Sequence, residues 1–72
     1  MPGMRPHDEK QSANGLRVTI YQNVHDGSWL VGRRAEPSID PVPLGGFQSV
    51  GAARSWADVH FAGGSWKHLS SY

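Results

Sequence analysis

The chain has no cysteine. No disulfide can staple it, no thiolate can serve as a nucleophile, and zinc sites that need cysteine ligands are excluded. That absence fits a reducing compartment. Long apolar runs are missing too. Nothing approaches the roughly 18 residues of a bilayer span, and the first residues lack the apolar core of a signal peptide. The expectation is a soluble, cytoplasmic protein with no membrane partner. Charge of one sign is also scarce, with seven Lys and Arg against six Asp and Glu for a formal net charge of +1. No broad field draws nucleic acid, so any basic patch has to be local.

What is present is short and aromatic. A chain of 72 residues forms one small domain and buries only about 60% of the surface its unfolded form exposes, which makes its stability marginal. Its three tryptophans each follow a serine, at Ser28-Trp29, Ser55-Trp56 and Ser65-Trp66. The stretch 45–64, GGFQSVGAARSWADVHFAGG, carries an amphipathic helix fenced by glycine pairs. At 100° per residue Val50, Ala53, Trp56, Ala57, His60 and Phe61 share one arc, and Arg54, Ser55 and Asp58 fall on the other side, toward solvent. Ser49 is the expected N-cap and Gly63 the expected stop.

Residues 1–15, MPGMRPHDEKQSANG, combine prolines, mixed charge and no apolar periodicity, and are expected to be a disordered tail. Residues 16–72 then make a single α+β domain. LRVTIYQNV, residues 16–24, alternates as a strand. His25-Asp26-Gly27 reads as a three-residue hairpin loop that sets Gln22 opposite Leu30 and Tyr21 opposite Val31; a two-residue Asp-Gly turn is the alternative register. Three prolines between Pro37 and Pro43 make an extended connection. A short strand at 44–47 is optional, and 65–70 supplies a final edge strand. The fold class is thus a small antiparallel sheet, a hairpin plus one or two short strands, packed on one helix in ββ(β)αβ order. Leu16, Val18, Ile20, Leu30, Val50, Ala53, Ala57 and Phe61 form the expected core, closed by Phe47 and tryptophan.

Chemistry is harder to find. His7, His25, His60 and His68 show no i, i+4 pair and no metal-ligand spacing, no serine sits in a Gly-x-Ser-x-Gly elbow, and the glycine pairs lack a phosphate-loop Lys-Ser/Thr. The expectation is a protein that is not an enzyme and uses no metal or cofactor. In the three-residue register Arg17, Tyr21, Trp29 and Arg33 project together from the sheet face opposite the helix, with Arg34 at the strand end. Arg and aromatic side chains are the usual anchors of binding hot spots. That face is either open for a partner or covered by the proline-rich connection as a second small core.

The segment LGGFQSVGAARSWADVHF, following a hairpin with a tryptophan, resembles plant AP2 domains and the arm-binding domains of tyrosine integrases, through Leu44, Gly45, Phe47, Ala52, Ala53 and Ala57. That likeness implies a three-strand-and-helix fold reading the DNA major groove with Arg17, Trp29, Arg33 and Arg34. The near-neutral charge and the proline-rich insertion depart from it. In plan, though by no motif, the chain is also similar to small phage-encoded proteins that bind host RNA polymerase and regulate transcription. The resulting expectation is a monomeric, non-enzymatic transcription inhibitor that docks on a larger protein, bacterial RNA polymerase first, through Arg17, Tyr21, Trp29, Arg33 and Arg34. Sequence-specific DNA binding is the alternative.

Overall fold

The β-branched alternation after Gly15 folds as expected into a strand, but as the second of four. The computed structural model describes residues 3–33, 36–40 and 42–69. Among them run β1 (Met4–Gln11), β2 (Arg17–Asn23), β3 (Trp29–Gly32), α1 (Val50–His60) and β4 (Lys67–His68). The sheet order is β3-β2-β1-β4, with every neighbouring pair antiparallel. This is a small α+β fold, an open antiparallel sheet with a helix packed on it. No helix among the described residues is long and apolar enough to cross a membrane.

The expected disordered tail is instead largely β1, an interior strand. Asn14-Gly15 is the reason: Gly15 adopts φ +86°, the left-handed position that ends a three-residue turn. The Ser12 N–H donates to the Leu16 carbonyl at 2.8 Å and closes the hairpin. Gln11 then pairs with Arg17 and Lys10 with Val18, up to Met4 with Asn23. The register shifts between Pro6 and Asp8, leaving His7 as an extra residue in a β-bulge.

The second hairpin takes neither expected register. Asn23 N–H donates to the Ser28 carbonyl and Gly27 N–H to the Asn23 carbonyl, both at 2.8 Å, so the loop holds four residues, Val24 to Gly27. Two Asx contacts stabilise it, from Asn23 to the His25 N–H and from Asp26 to the Ser28 N–H, each 2.9 Å. Ile20 consequently opposes Val31, Tyr21 opposes Leu30 and Gln22 opposes Trp29. A one-residue change of register moves every β3 side chain to the other face. Val31 and Trp29 therefore join the helix side, and Leu30 leaves it.

The core comprises Val18, Ile20, Val31, Ala53 and Ala57, flanked by Leu16, Trp29, Phe47, Val50, Trp56, Phe61 and Trp66. Burial of each of the larger chains contributes about 1.5–3 kcal/mol. Ser49 caps α1 as expected, its side chain accepting from the Ala52 N–H at 3.1 Å. The helix stops earlier than Gly63, at His60, with Phe61 N–H donating to the Ala57 carbonyl. The optional strand before the helix is reduced to a single bridge between Phe47 and Trp29. The final strand does lie at the sheet edge, paired with β1 through Asp8–His68 and Glu9–Lys67.

Candidate functional site

The residues expected to share one docking face are divided by the observed register. Arg17 and Tyr21 remain on the sheet face opposite α1, but Trp29 lies with Gln22 and packs against the core. Tyr21 is only 2% exposed, and its hydroxyl donates to the Arg33 carbonyl at 2.5 Å. Arg33 is exposed, its backbone paired with Glu36 in both directions. Arg34 lies outside the described residues. The proline-rich connection turns back here: a Cβ on Gly32 would overlap the Glu36 carbonyl oxygen and come within 2.7 Å of Pro37. Gly32 shares its face with Thr19, so the buried Pro37 covers that face beside Tyr21. The covered alternative is the one adopted around Tyr21.

Polar chemistry gathers on the helix side of β1. Asp8 and Lys10 are both buried, at 0% and 3% exposure. Arg54 and Asp58, expected to face solvent, reach down to them. Arg54 grips Asp8 Oδ2 through Nε at 2.6 Å and also through Nη2. Lys10 donates to Asp58 Oδ1 at 2.7 Å, the Trp66 indole N–H donates to the same oxygen at 3.1 Å, and the ammonium lies 5.1 Å from the Trp66 ring centre.

Asp8 Oδ1 is turned toward two histidines. His7 Nδ1 lies 3.0 Å away and His68 Nδ1 3.4 Å away. Adjacent residues of a regular strand point to opposite faces, and the bulge at His7 is what lets its ring meet its own neighbour's carboxylate. β4 brings in His68 from sixty residues further along the chain. The His7 ring stands edge-on to Trp29 at 4.9 Å and to His68 at 4.6 Å. Burial pushes the Asp8 carboxyl up, but hydrogen bonds from Arg54 and His68, with the charge of Arg54, outweigh it and hold the group below 3.8.

Sequence reasoning missed this cluster because His7 was assigned to a tail. The signal that exposes it is Asn14-Gly15 directly before an alternating strand, which pairs residues 4–11 with 17–23.

A second feature lies at the hairpin end. The Val24–Gly27 loop and the Pro43–Gly46 turn flank a groove of about 330 Å³ lined by Asp26, Gly27, Ser28, Gly45, Phe47 and Gln48. Gly46 N–H donates to the Pro43 carbonyl at 2.9 Å, which closes the turn and leaves Leu44 fully exposed at its tip. Val24 is half-exposed on the neighbouring loop. The Ser28 hydroxyl and N–H both donate to Asp26 and hold its carboxyl below the usual range.

No family model matches the chain, and no curated protein or solved structure matches it.

Proposed function

We propose that the chain is a non-enzymatic binding module that docks on a larger protein through its two-loop end. The observation that carries this reading is Leu44, an aliphatic side chain held fully in solvent by a hydrogen-bonded turn beside a groove. Loops set on a rigid sheet are where binding residues concentrate. The closed turn has already fixed the backbone that carries Leu44, so burial there has only the side chain left to order. Val24 extends the apolar surface, and Asp26 offers a fixed anion to a donor on the partner. A groove whose one charged side chain is a carboxylate suits a protein better than the phosphates of a duplex. The likeness of plan to phage regulators makes bacterial RNA polymerase the first partner to test.

Tagged protein incubated with nuclease-treated bacterial lysate is expected to retain one protein or complex in defined ratio. Leu44→Asp is expected to lose that species while the melting temperature stays unchanged, because Leu44 packs on nothing. Equal retention by the variant overturns the reading. Salt-sensitive retardation of duplex DNA by the intact chain, with no protein retained, replaces it with the DNA-binding alternative.

A further inference from the structure

Independently of the docking surface, we propose that His7, Asp8 and His68 form a site for a divalent transition ion of the zinc type. Their ligand atoms all lie within 4.8 Å of one another. Bonds of about 2.0–2.1 Å from a tetrahedral ion place neighbouring ligand atoms about 3.3–3.4 Å apart. The two Nδ1–Oδ1 separations, 3.0 and 3.4 Å, lie close to that spacing. Two imidazole nitrogens and one carboxylate oxygen suit zinc, cobalt or nickel; calcium and magnesium prefer an all-oxygen shell.

The surrounding residues supply what such a site requires. Arg54 occupies Oδ2, which leaves Oδ1 as the ligating oxygen and fixes the carboxylate plane from behind. Trp29 holds the His7 ring edge-on. The His68 side chain is 58% exposed, so an ion can enter from solvent and a water can complete the shell. An imidazole that carries its proton on Nδ1 can donate to Oδ1. Shifting each proton to Nε2 through solvent turns both lone pairs toward the shared oxygen with no change in charge.

The ion would join β1 to the edge strand. β4 is otherwise held to β1 by two residue pairs and by the Leu69 N–H donating to the His7 carbonyl at 2.7 Å. Binding should therefore stabilise the fold by mass action.

The test is titration of the chelator-treated full chain with Zn²⁺ by calorimetry and with Co²⁺ by absorption, alongside melting curves. Expected are one ion per chain, the visible bands of tetrahedral Co²⁺, and a melting temperature that climbs with free ion. His68→Gln, at an exposed edge position, should still fold and weaken binding at least about tenfold. His7→Gln should do the same, and His25→Gln, on the hairpin loop, should bind like the parent. Absence of stoichiometric binding overturns the proposal, as does binding that His68→Gln leaves intact.

Discussion

The underside of α1 is divided into two unlike halves. Over β2 and β3 the helix backbone comes close, and Ala53 and Ala57 settle on Val18, Ile20 and Val31. Toward β1 there is no such close backbone approach, and the gap is spanned by Arg54 to Asp8, Lys10 to Asp58, and Trp66 beside them. Short side chains serve where backbones can meet; long charged ones serve where they cannot. The apolar half draws its stability from burial. The ionic half depends on completeness, because a buried charge that loses its partner costs more than the intact pair contributes.

Removing Arg54 is the sharpest way to break this arrangement. Arg54→Met leaves a fully buried carboxylate with only its two histidine contacts and, the Arg54 side chain itself being 41% exposed, is expected to cost about 2–3 kcal/mol in denaturant unfolding. That matches the benchmark on the other half, since Ile20→Ala is expected to cost about 2–5 kcal/mol through its cavity. Asp8→Leu combined with Arg54→Met should recover most of the loss, because the apolar replacement removes the orphaned charge. A cost for Arg54→Met below about 1 kcal/mol would show the pair to behave as a surface ion pair and the ionic half to carry far less than the apolar one.

Acid separates the halves without mutation. The folded-state pKa of Asp8 lies below its ordinary 3.8. Its contribution is therefore fully present above the unfolded value and fades as pH falls through the lower folded one. Melting temperatures followed below pH 3.8 should drop more steeply in the parent than in Asp8→Asn, which has no carboxyl to protonate at that position. Parallel curves would remove Asp8 from the acid response.

The smallest effect is expected at Lys10. Lys10→Met keeps the aliphatic stem and deletes the ammonium, and the Asp58 side chain, 54% exposed, regains water. A change of about 1 kcal/mol or less is expected by denaturant titration. A larger loss would mean that the Lys10–Asp58–Trp66 group is coupled as tightly as the Arg54 pair.

The helix and β2 parts of the apolar half were legible in the sequence, but its β3 part, where Val31 lies in place of the expected Leu30, and the ionic half were not. Helical periodicity placed Ala53 and Ala57 inward and Ser49 at the cap because those features depend on a few consecutive residues. β1 escaped because its buried positions, Asp8 and Lys10, carry charge, and a polar run without hydrophobic alternation reads as a tail. The Val24–Gly27 loop changed the register by one residue, because four-residue and three-residue loops draw on the same turn residues. That shift alone parted Trp29 from Tyr21 and dissolved the expected docking face.

By itself, the sequence determined the β2 strand, the capped helix, the class of fold and the absence of thiol and disulfide chemistry, each through local periodicity, turn residues or composition. The tertiary structure decided which polar residues would be buried. Asp8 and Lys10 become inside residues only because a helix distant in sequence delivers Arg54 and Asp58 to them. The meeting of His7 with His68 was likewise decided there, by a bulge in β1 and the pairing of β4, neither of which any short stretch of the chain encodes.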